Sequence, residues 1–273
     1  MRKTSIFTIF ILLAITLQSQ DKNIYEIFTK SLTEVPLEYS MIDQTVDKYL
    51  TVSENIDENI SDSLFSILFR SIVRGERILN DKLYEEENID DYRSLIWADE
   101  KLQKKNALEF EKRLIAHNIK ISSSEGMIHI NYNFEGKKEA LKSRLTKSGR
   151  ELFDLLIVER DIPAVEDAGL IISLREVVDR LITWETLLHS NPHSMIDLKN
   201  DRFYFYLEIL IYGLDNTPLT YDSDTIEKQF IDAYAYMIEK YPGYKSTEEI
   251  KRYYHLIKDN NFKFNDEIGN FKF

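Results

Sequence analysis

SLREVVDRLITWETLL, residues 173–188, is the stretch on which the fold turns. Leu174, Val177, Leu181, Trp184 and Leu188 recur at steps of three and four, the period of one face of an α-helix. Ser173 precedes this run where its hydroxyl can accept from a first-turn N–H, and Glu176 has the spacing that reaches back to the cap. A second stripe of the same kind runs through Ile226, Phe230, Tyr234, Met237 and Tyr241. Setting Pro192 on Pro242 aligns the two: Trp184 falls on Tyr234, Leu187 on Met237, Leu188 on Ile238, Arg202 on Arg252, Phe203 on Tyr253 and Tyr204 on Tyr254. Each copy reads as an amphipathic helix, a proline turn, and a second helix with an aromatic pair in its middle. One such hairpin leaves an apolar face uncovered, and stacking a second copy against it buries both.

Working outward, Ser148 with Glu151, Asp224 with Glu227, and Ser246 with Glu249 repeat the capping spacing, which places further helix starts at these points. The segment 261–273, with Phe262, Phe264 and Ile268, is expected to cover the last apolar face. Upstream, Leu64, Leu68, Ile72 and Leu79 mark another core-facing stripe, and helices are expected near 23–34, 40–52, 61–83 and 89–117, with Pro36 separating the first two. Between Asn118 and Phe134 the period changes to two: Ile119 and Ile121 alternate with Lys120, and Ile128, Ile130, Tyr132 and Phe134 alternate with His129, Asn131 and Asn133. That is the mark of half-buried strands, and the Ser122 to Gly126 segment suits a reversing loop in which Gly126 supplies a positive φ. A lone two-stranded hairpin is barely stable in water, so its apolar face should dock on helices. The expected fold class is mainly α: stacked helical hairpins in an α-solenoid-like second half, with one small β-hairpin near 119–134. The organisation read from the pattern is a signal peptide at 1–20, an N-terminal helical region at 21–117, the hairpin at 118–134, and the helical-hairpin region at 135–273.

The first twenty residues point to export. Arg2 and Lys3 precede an apolar run from Ile6 to Leu17, followed by Gln18, Ser19 and Gln20. A helix needs about 20 apolar residues to cross a bilayer core, so the run suits a cleaved signal near Ser19, with an uncleaved anchor as the alternative. No stable membrane span is expected after its removal, and the chain is expected to be periplasmic or extracellular. It has no cysteine, which excludes disulfides, thiolate metal sites and a lipid-modified cysteine anchor. Without Arg2 and Lys3, 33 cationic residues remain against 47 acidic ones, a net charge of -14. Such a surface repels phosphate backbones and anionic headgroups, so nucleic acid is not an expected partner.

Asn191-Pro192-His193-Ser194 and Tyr241-Pro242-Gly243-Tyr244 resemble the helix-Pro-helix junctions of degenerate tetratricopeptide-like repeats in exported bacterial proteins, across residues 173–260. The copies here are fifty residues apart, against about 34 in that family. Ser124-Glu-Gly126, Asp167-Ala-Gly-Leu170, Trp184-Glu185 and Gly213-Leu-Asp-Asn-Thr-Pro218 are also similar to segments of uncharacterised exported helical proteins. The resemblance implies a helical-hairpin fold and brings no activity with it.

Catalytic motifs are absent: no Gly-x-Ser-x-Gly, no His-Glu-x-x-His, no Gly-rich phosphate loop. Glu185, His189 and His193, each four apart, are the one spacing that could present metal ligands on a helix face, but Pro192 should break that face before His193. Glu185 and His189 therefore stay as weak metal candidates, with a surface Glu-His pair as the alternative. Asp215, Asp222 and Asp224 form a second, looser cation candidate. No metal or other cofactor is expected. The remaining signal is aromatic: ten of sixteen tyrosines and seven of fifteen phenylalanines lie between 201 and 273. Phe203-Tyr204-Phe205-Tyr206 spans a full helical turn, so its rings cannot all point inward. Tyr204, Tyr206, Tyr253 and Tyr254 are thus the expected contact residues for a protein or peptide partner of the cell envelope, on a concave helical surface of a non-enzymatic interaction or scaffold protein. The alternative is a small-ligand or carbohydrate-binding protein, or a hydrolase using acidic residues.

Overall fold

A computed structural model describes residues 23–32, 35, 38–86, 89–97, 104–124, 126–190, 196–221 and 223–273. The expected signal segment, Pro36, Asp222 and the junction containing Pro192 and His193 lie outside the described residues. The chain is mainly α-helical and divides into two compact units between Thr146 and Lys147.

In the first unit, α1 covers residues 23–32, α2 Met41–Val52 and α3 Glu58–Glu85. The Asp57 side chain accepts from the Asn59 N–H at 2.8 Å and opens α3, whose buried stripe is Leu64, Phe65, Leu68, Phe69, Ile72, Leu79 and Leu83. Gly75 sits in that stripe because a Cβ there would meet Ile42 Cγ1 and Met41 Cε at 3.0 Å, so its absence lets α2 approach α3. The single helix expected over 89–117 is instead α4 Ile89–Tyr92, α5 Ser94–Trp97 and α6 Lys105–Ile115. Tyr92 of α4 stacks on Phe110 of α6, with ring centroids 4.1 Å apart and nearly parallel.

The hairpin forms as the alternation implies. Strands β1 Ile119–Ser124 and β2 Met127–Tyr132 pair antiparallel, with Ile121 opposite Ile130, and Gly126 takes φ 74° in the turn. Ile128, Ile130, Tyr132 and Phe134 are all buried. The backbone of β2 is satisfied by side chains of α3: Asn80 donates to the Ile130 carbonyl at 3.0 Å and accepts from its N–H at 2.8 Å, Glu76 accepts from the Tyr132 N–H at 2.7 Å, and Tyr84 donates to the Ile128 carbonyl at 2.9 Å. A helix thus covers a strand edge that would otherwise invite pairing with another chain.

This hairpin is part of the first unit and not a separate region, and the unit extends past Phe134. Asp43 of α2 explains why. Its carboxylate accepts from Asn118 at 2.9 Å, from the Tyr132 hydroxyl at 2.9 Å and from Lys137 at 2.9 Å, tying α2 to the open end of the hairpin, where both strands meet, and to the segment after it. Burial pushes the Asp43 carboxyl up, but those three hydrogen bonds and the Lys137 charge outweigh it, and its pKa lies below the ordinary aspartate value. After α7 Lys138–Lys142, the buried Asp62 carboxylate accepts from the Thr146 N–H at 3.1 Å and its hydroxyl at 2.6 Å, which anchors the end of the unit.

The second unit contains α8 Lys147–Asp161, β3 Val165–Glu166, β4 Gly169–Leu170, α9 Leu174–Ser190, α10 Ile196–Tyr212, β5 Gly213–Leu214, β6 Thr217–Pro218, α11 Lys228–Lys240, α12 Lys245–Asp259 and α13 Asp266–Gly269. Helix α9 packs on α10, α11 on α12, and α9 also on α11, so two helical hairpins share one core. Leu181 and Trp184 from the first hairpin, and Phe230, Tyr234, Ile250 and Tyr253 from the second, are fully buried. Of the four capping boxes only the one at Ser173 caps its helix, accepting from the Glu176 N–H at 3.2 Å. Ser148 and Ser246 lie inside α8 and α12, and α11 begins after Glu227, so Asp224 is free to pair with Lys263 at 3.1 Å.

Two miniature hairpins, β3-β4 and β5-β6, were not expected. Each joins helices through a turn, at Asp167-Ala168 and Asp215-Asn216, and the two turns are bonded together. The Asn216 N–H donates to the Ala168 carbonyl at 3.0 Å, its amide donates to the Asp167 carbonyl, and Thr217 Oγ1 accepts from the Leu170 N–H at 2.9 Å. Asp167 and Ala168 hold left-handed φ values of 47° and 53°, which the hairpin turn needs and a side chain disfavours. The C-terminal segment does pack on the unit, through residues partly different from those expected: Ile268 is buried and Phe271 lies 4.8 Å from Tyr253, whereas Phe264 is exposed.

Candidate functional site

Helix α10 carries the Phe203-Tyr204-Phe205-Tyr206 turn, and the structure sorts its rings by direction. Tyr206 is 1% exposed and Tyr253 0%, so neither can touch a partner at the surface. The Tyr206 hydroxyl donates to the buried Glu159 carboxylate at 2.8 Å, which also accepts from Trp184 Nε1 at 2.7 Å and has Arg202 at 3.6 Å. Arg180 adds hydrogen bonds to the Ile162 carbonyl at 2.9 Å and to Glu176 at 2.7 Å. Burial and the Glu159 charge push the Tyr206 hydroxyl well above the ordinary tyrosine pKa, so it stays a neutral donor. The Tyr253 hydroxyl donates to the Ile211 carbonyl at 2.8 Å, and Tyr234 does the same for Leu210 at 2.6 Å. These are last-turn carbonyls of α10, which have no partner within their own helix. Both tyrosines from the second hairpin therefore serve as helix caps across the core, a role that sequence spacing does not display.

Tyr254 is half-buried between Tyr234 and Phe262, each with its ring centroid 6.4 Å away. Tyr204 alone of the four expected contact residues is well exposed, at 48%. It is not isolated. Tyr212, also 48% exposed, lies two turns further along α10, and Phe273, 36% exposed, sits with its ring centroid 6.3 Å from Tyr204 and 6.1 Å from Tyr212. The Tyr212 hydroxyl donates to the Phe271 carbonyl at 3.1 Å, which fixes both the ring and the tail beside it. Asp201, Tyr204, Glu208 and Tyr212, at spacings of three, four and four, are the exposed residues of this helix face, while Tyr206, Leu207, Ile209, Leu210 and Ile211 fill the opposite one. Tyr212 and Phe273 were missed in the sequence. The step of eight from Tyr204 was the available signal for Tyr212, and nothing local marks Phe273.

Glu185 and His189, the weak metal candidates, are otherwise engaged. The buried Glu185 carboxylate accepts from the Lys245 N–H at 2.7 Å, the Ser246 N–H at 3.2 Å and the Ser246 hydroxyl, so it caps α12 from a helix 60 residues away in the chain. His189 Nδ1 lies 2.7 Å from the Glu185 backbone carbonyl. A cleft of about 480 Å³ beside them is lined by Thr186, His189, Gly243, Tyr244, Lys245 and Glu248. Asp224 of the looser cation candidate is paired with Lys263. Among the described residues no group of three His, Asp or Glu side chains is arranged to hold a metal ion, and no helix is long and apolar enough to cross a membrane.

A second polar cluster joins α9 to α11. Asp179 accepts from the Tyr236 hydroxyl at 2.8 Å, the Tyr241 hydroxyl at 2.6 Å and Lys240 at 3.3 Å, and the Lys240 ammonium also lies over the Tyr236 and Tyr241 rings at 4.8 and 4.9 Å. The Tyr236 and Tyr241 hydroxyls and Asp179 push the Lys240 amine above the ordinary lysine pKa. These hydrogen bonds run among four side chains of α9, α11 and the residue after it, and they tie the two helices together. Comparison with known proteins adds no assignment: no family model, no curated protein and no solved structure matches the chain.

Proposed function

We propose that the chain is an exported, non-enzymatic interaction protein whose second unit contacts a protein or peptide partner through the exposed face of α10 and the adjoining tail. Export rests on Arg2 and Lys3 followed by the apolar run Ile6 to Leu17. The observation that carries the binding proposal is the three-ring patch of Tyr204, Tyr212 and Phe273, each more than a third exposed and held by its neighbours. Rigid aromatic rings lose little conformational entropy on binding and bury much area, so they are favoured anchors of interfaces. Tyr204 stays from the expected set. Tyr206 and Tyr253 leave it because they are buried, and Tyr254 because its ring is occupied by Tyr234 and Phe262.

The test is a double replacement, Tyr204→Ala with Tyr212→Ala. Both residues lie on an exposed face, so the far-ultraviolet circular dichroism should stay at the wild-type value, and the melting temperature should fall only by the few degrees that the lost Tyr212 to Phe271 hydrogen bond and the Phe273 ring contacts are worth. Partners recovered with the wild-type protein by chemical crosslinking in the producing cells should be lost with the double variant. Unchanged recovery with an intact fold would move the contact surface elsewhere.

A further inference from the structure

We infer that the α10 face is built for a cationic segment of its partner, with arginine or lysine side chains lying over the Tyr204, Tyr212 and Phe273 rings and paired with Glu208 and Asp201. The inference rests on the partner-binding proposal and adds the partner's chemistry. Glu208 stands one helical turn from each tyrosine, and Asp201 three residues before Tyr204, so two carboxylates and two ring faces share one surface. No described residue pairs with either carboxylate, whereas other acids on the same unit's helices are matched nearby, as Glu151 is by Lys147, Asp232 by Lys228 and Glu249 by Arg252.

The cations of α10 itself are turned away from this face. Lys199 is buried, and Arg202 points to Glu159 at 3.6 Å. Among the described residues of α10 the exposed ones are acidic and aromatic, while the partly exposed Arg202 is engaged with Glu159 and the exposed cation of the adjoining tail is Lys272, next to Phe273. A guanidinium or ammonium within about 6 Å of a ring centroid is attracted by the ring's electron-rich face, and a flanking carboxylate strengthens the pair. The unit already uses this contact nearby, since the Arg252 guanidinium lies 5.4 Å from the Phe271 ring centroid. The overall charge of -12 would also steer a cationic segment inward.

The probe is a short fluorescein-labelled arginine-glycine peptide, set against the same peptide with each arginine replaced by citrulline, its neutral isostere. Titrated by fluorescence anisotropy at physiological salt, the arginine peptide should bind the full chain at least about ten-fold more tightly than the citrulline peptide. Asp201→Asn with Glu208→Gln should weaken it about ten-fold, and so should Tyr204→Leu with Tyr212→Leu, which keeps apolar bulk but removes the rings. Asp259→Asn with Glu267→Gln, exposed acids elsewhere on the unit, changes net charge by the same amount and should leave binding unaltered. Equal loss in that control pair, or equal affinity for the citrulline peptide, would overturn the inference by reducing it to diffuse acidity or plain apolar contact. A separate readout distinguishes the two proposals. If a photo-crosslinker at position 204 captures a partner and Asp201→Asn with Glu208→Gln leaves the adduct unchanged, the cationic inference fails while partner binding stands; no adduct at all removes both.

Discussion

Replacing Glu185 by Ala should destabilise the second unit strongly, although residue 185 sits in the middle of α9 and alanine is the better helix former. The carboxylate is buried and accepts three hydrogen bonds from the first turn of α12. Lys245 is exposed, so water can reach its N–H after the change. Ser246 is fully buried, and its N–H and hydroxyl would both lose their acceptor. Each orphaned buried donor costs about 1–2 kcal/mol, and loss of a negative charge at a helix N-terminus costs about 0.5 kcal/mol more. The total is about 3 kcal/mol. For a unit of this size that corresponds to a fall of about 10 °C in melting temperature. Glu185→Gln keeps one carbonyl oxygen and should lose about half as much. Adding Ser246→Ala to Glu185→Ala should recover about 1 kcal/mol, because one orphaned group disappears. Differential scanning calorimetry of the four proteins, with and without a chelator, checks the set. A shift below about 2 °C for Glu185→Ala, or a drop caused by the chelator in the wild type, would refute the capping role; the chelator effect would return Glu185 to metal binding.

Three further outcomes follow from the same geometry. Asn80→Leu removes both partners of the Ile130 peptide group and should cost about 2–3 kcal/mol in urea unfolding of the first unit, with an effect below 0.5 kcal/mol marking the α3-β2 bonds as incidental. The Asp43 carboxyl titrates below its unfolded value of about 3.9, so its stabilisation is fully present above that pH and is lost as pH falls through the lower folded pKa. Urea midpoints between neutral pH and about pH 2 should therefore fall less steeply in Asp43→Asn than in the wild type, and parallel curves would contradict the assignment. Ala168→Gly relieves a left-handed backbone at φ 53° and should raise stability by about 0.5–1 kcal/mol, whereas a lower melting temperature would mean that the Ala168 methyl contributes more than the strain costs.

The helical character and the hairpin were legible because they rest on periodicity. Steps of three and four mark α3 and α9, and steps of two mark β2, with boundaries good to a few residues. The break in the helix expected over 89–117 was not legible, since it depends on Tyr92 reaching Phe110 across the chain. Capping boxes misled for a related reason. Ser246 has the right spacing to cap α12, but a carboxylate 61 residues away in sequence takes its hydroxyl, and the helix starts one residue earlier. The aromatic richness of residues 201–273 singled out α10, while the facing of each ring was decided by tertiary partners. Tyr206 turns inward to Glu159 and Tyr253 to Ile211, leaving Tyr204 outward with Tyr212 and Phe273. The two miniature hairpins are too short for a two-residue period to register, and the left-handed turn of the first uses Asp167 and Ala168 in place of glycine.

Site-specific photo-crosslinking addresses the central proposal most directly. A benzoylphenylalanine placed at position 204, on the exposed α10 face, and another at position 158, an equally exposed apolar site on α8, would be irradiated in the cells that make the protein. A discrete adduct from position 204 that is absent from position 158, and that disappears when Tyr212 is also changed to Ala, is the expected result. No adduct from position 204, or the same adducts from both positions, would contradict the assignment of this face as the contact surface.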